Sequence, residues 1–224
     1  MPFANRLEAG RRLAVALRGY KDAEPVILAL PRGGVPVAAE VAAALGAPLD
    51  LVLVRKIGVP TQPELAMGAV ADGGVPVIIR NEDVIATTEV GEATFKKVCD
   101  EELAEIERRR QHYLRGRTAV EIEGRVAVVV DDGIATGATT RAALRAVRAR
   151  KPKKLVLAVP VAPTDTLAAM RDEADEVVCV EDHEFFGAIG YYYSDFRQTS
   201  DQEVIEALAR FPAVAAEHPK NPAA

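Results

Sequence analysis

Two adjacent aspartates, Asp131 and Asp132, stand between an unbroken apolar run, Val126 to Val130, and a small-residue loop, Ala135-Thr136-Gly137-Ala138-Thr139-Thr140. Ionised carboxylates accept hydrogen bonds more strongly than neutral oxygens do, so such a pair suits a vicinal diol, for example that of a ribose. The loop combines a glycine, hydroxyl groups and the start of a helix-like stretch, RAALRAVRAR. Unpaired backbone N–H groups and the helix dipole favour an anion there, and a phosphate fits. Diol and phosphate in that order describe a phosphorylated sugar. Neither GxxxxGKS/T nor GxGxxG occurs, which excludes a P-loop and a dinucleotide fingerprint.

Such groups need a scaffold that brings strand ends together. The run Val126 to Val130 is short and mostly β-branched, as expected of a strand buried on both faces of a parallel sheet. Strand-like and helical runs alternate around it, which predicts an α/β fold: a doubly wound, mainly parallel sheet of about five strands flanked by helices. PVILAL (Pro25 to Leu30) reads as a first strand, Val35 to Leu45 as a helix, and LDLVLV (Leu49 to Val54) as a second strand. A Pro- and Gly-bearing stretch follows, in which Asp72-Gly73 suits a hairpin turn and the whole suits a mobile loop or β-ribbon. Thr88 to Tyr113 reads as a long charged helix with Phe95, Val98, Leu103, Ile106 and Tyr113 near one face. After the signature strand come a helix to Arg150, a strand from Lys154 to Val161, a helix from Thr164 to Glu173, a strand from Glu176 to Asp182 and a helix from Asp201 to Phe211, with a frayed tail. The expected organisation is one domain over residues 1–224, with a ribbon at 57–80, an inserted helix at 88–115 and a hood with its helix at 183–212.

With 224 residues, 49% hydrophobic and 27% charged, the chain can bury a full core. A net charge of −5 and a pI near 5.4 speak against a nucleic-acid partner. No apolar stretch approaches the length of a membrane span and no signal-peptide pattern opens the sequence, so no membrane partner and a cytoplasmic location are expected. Cys99 and Cys179 suggest neither a disulfide framework nor a zinc site.

The segment VVVDDGIATGATT is similar to the phosphoribosyl pyrophosphate (PRPP) signature of type I phosphoribosyltransferases. The resemblance implies a Mg²⁺-dependent transfer of the 5-phosphoribosyl group of PRPP to a nitrogenous base, leaning to a purine, with release of pyrophosphate. Asp131 and Asp132 would hold the ribose and, directly or through water, the metal, and Ala135, Thr136, Gly137, Ala138 and Thr139 the 5′-phosphate. In LPRGGVPVA, Arg32, Gly33 and Gly34 correspond to the pyrophosphate loop, which in the family often has a cis peptide; read alone, this is equally an ordinary strand-to-helix turn. Arg55 and Lys56, at the end of the second predicted strand, would neutralise the leaving pyrophosphate or else form a solvated pair, and Glu64 is a possible loop acid or base. The aromatic stretch HEFFGAIGYYYSDFRQ, together with residues 3–13, is the hood candidate for the base: Phe186, Ile189, Tyr191, Tyr193 and Asp195, with Arg197 beside them. Its rings either stack on a base or close the sheet edge. Ala135 stands where 6-oxopurine enzymes of the family usually carry an aspartate, which puts hypoxanthine or guanine in doubt. A PRPP- or nucleotide-sensing regulator and a phosphoribohydrolase are the competing readings, and the helix from Thr88 to Tyr113 could serve a homodimer.

Overall fold

Residues 2–72 and 76–211 are described by the computed structural model. The chain opens with α1 (Arg6–Ala16), capped by the Asn5 side chain, which accepts from the Leu7 and Glu8 amides. Next come β1 (Val26–Ala29), α2 (Gly34–Leu45) and β2 (Leu49–Leu51). The middle contributes β3 (Val54–Val59), β4 (Gln62–Ala71), β5 (Val77–Arg80), α3 (Glu82–Thr87) and α4 (Glu92–Tyr113). It closes with β6 (Val126–Val130), α5 (Ala138–Ala149), β7 (Lys154–Pro163), α6 (Thr164–Met170), β8 (Glu176–His183) and α7 (Asp201–Ala209).

Five parallel strands form the main sheet in the order β2-β1-β6-β7-β8. Alternation along β1 and β6 separates two cores: Ile27, Ala29, Val126, Val128 and Val130 face the α1, α2 and α7 side, while Val26, Leu28, Ala127 and Val129 face α5. All nine positions of these two strands are buried, as the unbroken apolar pattern requires.

Order reverses between β1 and β6. From β1 the chain moves outward to β2; from β6 it moves the opposite way to β7 and β8. The register pairs Ala29 with Val130, and the Leu30 amide donates to the Val130 carbonyl at 2.9 Å. The loops leaving the carboxyl ends of β1 and β6 therefore start side by side, at the kind of crevice where open α/β sheets bind ligands.

The predicted strand Leu49 to Val54 is two strands in two sheets. Val52 still donates to the Ala29 carbonyl, but Leu53 accepts from Asp72 and the chain then enters β3, in an antiparallel sheet ordered β3-β4-β5. An apolar run carries no mark of that change of partner. The expected ribbon thus begins at Val54 rather than at residue 57. Of its predicted turn, Gly73 lies outside the described residues, as does the tail beyond Phe211. The predicted helix from Thr88 to Tyr113 is one helix, α4, that starts four residues later, after Gly91; before it lies a short helix the sequence did not signal, α3, capped by Asn81, and Glu89 turns the chain between them at φ 52°. Along α4 the buried positions are Phe95, Cys99, Ile106 and Tyr113, with Val98 and Leu103 at the margin. No helix among the described residues is long and apolar enough to cross a membrane.

Candidate functional site

Asp131 and Asp132 leave β6 at the crevice, and the loop from β1 lies directly on them. A Cβ added to Gly33 would sit 2.1 Å from Asp132 Oδ2, and one added to Gly34 would sit 2.9 Å from the Asp131 Cα. Gly33 has ordinary right-handed backbone angles, φ −60° and ψ −37°, so contact rather than conformational freedom demands glycine there. Pro31 and Arg32 are joined by a cis peptide bond. Of the two glycine amides, that of Gly34 is consumed by the Leu30 carbonyl at 3.1 Å, which removes it as a backbone donor to a ligand, whereas that of Gly33 has no acceptor among the described residues. The Arg32 guanidinium reaches Asp201 at the start of α7 at 3.3 Å. Asp201 also accepts from the Tyr113 hydroxyl at 2.6 Å, and burial followed by that hydrogen bond pushes the Tyr113 phenol up to about 12.

The two carboxylates have different surroundings. Asp131 Oδ1 accepts the Asp132 amide at 2.9 Å, and burial, then the neighbouring Asp132 charge, pushes its carboxyl well above the usual range. Asp132 is 8% exposed; its Oδ2 accepts from Arg6 Nε at 2.7 Å and its carbonyl accepts from the Tyr193 hydroxyl at 2.5 Å. Burial raises the Asp132 carboxyl, and the Arg6 charge opposes the rise.

Downstream, residues 131–137 form an irregular loop ending at Gly137, which caps α5 in the left-handed region at φ 75°. A side chain there would also meet Met170 Cε at 2.8 Å. Thr166 Oγ1 donates to the Ala135 carbonyl at 2.9 Å, so α6 braces the loop from below. None of the backbone N–H groups from Ala135 to Thr140 has an acceptor among the described residues. Six such donors at a helix N-terminus are of the kind that favours an anion.

The hood is a clasp between the segment before α1 and the stretch between β8 and α7. Phe3 donates to the Tyr192 carbonyl at 2.8 Å, Ser194 donates to Phe3 at 2.8 Å, and Asp195 donates to Ala4 at 2.9 Å. Within it the predicted aromatic residues divide. Tyr193 is 6% exposed and packs against Phe3 and Phe196, with centroids 5.4 and 5.0 Å away; it is a core residue that holds Asp132, not an open stacking platform for a base. Phe186 stacks on Tyr192 at 4.8 Å, and Ile189 touches the Gly133 backbone. Tyr191 and Phe185 are mostly exposed. Asp195 turns back on the Arg197 amide at 3.1 Å.

Arg55 and Lys56 are displaced from their predicted place. They belong to β3 rather than to the mouth of the parallel sheet, because β2 has already ended at Leu51. Arg55 Nε pairs with Glu102 of α4 at 2.6 Å and Lys56 with Glu64 at 3.0 Å, and all four line a cleft of about 790 Å³ between the antiparallel sheet and α4. Neither cation contacts Asp131 or Asp132 in this arrangement. Arg6 is the functional neighbour that sequence reasoning missed; the one local signal, Asn5 followed three residues later by Glu8, marks a helix start but not its distant partner.

Among the described residues no group of three or more His, Cys, Asp or Glu could hold a metal by itself. The donor set fits a cation that takes most of its oxygens from substrate and water, as Mg²⁺ does.

The parallel sheet with its switch-point crevice, the acidic pair and the loop of unpaired amides agree with the phosphoribosyl transferase class. The family model for the phosphoribosyl transferase domain matches residues 4–196, and the chain belongs to that family. Proteins from two strains of Mycobacterium tuberculosis, provisionally named as phosphoribosyl transferases, are 49% identical over 208 residues, covering 93% of this chain and 46% of theirs. The chain thus spans about half the length of the curated relatives it matches. A crystal structure from Thermus thermophilus superimposes with a TM-score of 0.81 at 39% identity, covering 95% of this chain and 100% of that one.

Proposed function

We propose that the chain is a Mg²⁺-dependent phosphoribosyltransferase: the C1–O bond of PRPP to pyrophosphate breaks, a C1–N bond to a nitrogenous base forms, and the base loses a proton. The observation that carries this reading is the meeting, at one crevice, of the acidic pair after β6, the free Gly33 amide after β1 and the unpaired amides of residues 135–140.

Each part has a task in that reaction. The amides from Ala135 to Thr139 receive the 5′-phosphate and anchor the sugar. Asp131 meets the ribose diol, with Asp132 held behind it by Arg6, so the anomeric carbon is held by binding energy remote from the reacting bond. The pyrophosphate develops charge as it leaves; the Gly33 amide and Arg32, released from its long contact with Asp201, would receive it. Arg55 and Lys56 could join only if the β3–β4 arm folds inward. Asp131 would hold Mg²⁺ directly or through water, and the ion when bound would neutralise diphosphate charge. Ile189, which lies against Gly133, and its neighbours Phe186 and Tyr191 would receive the base. Ala135 offers no carboxylate there, which leaves the base unassigned.

Calorimetry with PRPP and Mg²⁺ tests the reading: the unmodified protein binds, and Asp131→Asn weakens binding at least tenfold. Lack of binding by the unmodified protein refutes it. A screen of purines, pyrimidines and small nitrogenous acids, scored by pyrophosphate release, then identifies the acceptor.

A further inference from the structure

The acidic pair is not symmetric, and the asymmetry comes from α1. Arg6 Nε binds Asp132 Oδ2 at 2.7 Å, with the two side chains only 12% and 11% exposed. A second nitrogen of the Arg6 guanidinium is also held: Nη1 donates to the Arg197 carbonyl at 2.7 Å, and the group lies 4.0 Å from the Phe196 ring centroid. The same Asp132 oxygen also lies against Gly33, and the Tyr193 hydroxyl holds the Asp132 carbonyl. Asp132 is thus enclosed by the pyrophosphate-side loop and by the hood. Among the described residues no cation pairs with Asp131, whose Oδ1 accepts the Asp132 amide.

We propose that Arg6 is a built-in counter-cation that divides the labour of the pair: Asp131 is the carboxylate that meets sugar and metal, and Asp132 is a positioning residue, neutralised by Arg6 and tying the hood to the sugar site. This rests on the reading of the crevice as a PRPP site. It predicts opposite responses to a cation and an anion. Deleting the Arg6 charge leaves the pair more negative, so a free divalent ion binds better and an anionic sugar diphosphate binds worse. A purely structural arginine would weaken both.

The test measures Mn²⁺ alone and PRPP with Mg²⁺ by calorimetry on the full chain, with circular dichroism to check the fold. Arg6→Met is expected to bind Mn²⁺ at least fivefold more tightly and PRPP at least tenfold more weakly. Arg6→Lys, which keeps the charge, recovers most of the PRPP loss. The double variant Arg6→Met/Asp132→Asn restores the local charge and leaves no buried ion unpaired, so it also serves if Arg6→Met alone fails to fold. Its PRPP affinity is expected within threefold of the unmodified protein. If Asp132 touches the sugar directly, the double variant stays at least tenfold weak, which overturns the division of labour. Parallel loss of Mn²⁺ and PRPP binding in Arg6→Met overturns the counter-cation. Failure of the unmodified protein to bind PRPP would instead refute the site reading.

Discussion

Replacing Gly33 by alanine tests the geometry of the crevice most directly. The added carbon would lie 2.1 Å from Asp132 Oδ2 and 2.7 Å from its Cγ, whereas an unstrained C···O contact needs roughly 3.3 Å or more. Either the carboxylate retreats by about 1 Å, or the β1–α2 loop lifts away. Retreat stretches the 2.7 Å hydrogen bond to Arg6 beyond useful length, and a buried charge-assisted bond of that kind contributes about 1.5–3 kcal/mol. Because Gly33 has helical backbone angles, alanine also reduces unfolded-state entropy and returns about 0.4–1 kcal/mol. The net expectation is a destabilisation of about 0.5–2.6 kcal/mol, or a fall in Tm of roughly 1–10 °C for a domain of this size. PRPP affinity should fall at least tenfold, since the displaced group lies between the sugar and pyrophosphate regions. Thermal unfolding and calorimetry measure the two effects. Gly19→Ala is the control, because a Cβ at Gly19 meets nothing within 4 Å. A Gly33→Ala protein that melts with the control and binds PRPP normally would refute the reasoning.

Other expectations concern the hood and the last helix. Tyr193→Phe keeps the ring packing but removes the donor to the Asp132 carbonyl; a cost of about 1 kcal/mol and a weaker PRPP affinity are expected, checked by thermal unfolding and calorimetry. Glu203 caps α7, and its carboxyl is held down at about 2 by Arg197 first and by the Ser200 amide and hydroxyl next. A depressed folded-state value means that its stabilisation is present above its ordinary range near 4.5 and fades as pH falls toward 2. The pairing is partly solvated, so Glu203→Gln should cost only about 0.5–1 kcal/mol at pH 7. In thermal melts from pH 7 to pH 3, its difference from the unmodified protein should narrow below pH 4.5; a constant difference would contradict that assignment.

What the sequence made legible was local. The run Val126 to Val130 announced a doubly buried strand, and the composition of residues 131–140 announced an anion loop, because both follow from side-chain chemistry over a dozen positions. The parallel sheet was legible as alternation. Partner changes were not: Val52 and Leu53 look alike as apolar residues, yet one bonds to β1 and the other to Asp72. Gly33 suggested an open amide turn, while its reason for being glycine is a contact with Asp132, far along the chain. Arg6 is one arginine among several near the start of the sequence; only the closed hood reveals which carboxylate it meets. The aromatic stretch was chemically ambiguous, and Tyr193 resolved toward packing because its ring fills the space beneath Phe3.

The pairing of Ala29 with Val130 has a consequence for assembly. Its two strands are about a hundred positions apart in sequence, so joining them closes a long loop and belongs to the slow, non-local part of folding. Neither strand alone carries half a working pocket: one contributes a bare amide and the other an isolated acidic turn. Two fragments cut in the β4–β5 connection should therefore each be inert toward PRPP and recover binding only when mixed, which makes ligand capture a reporter of strand pairing.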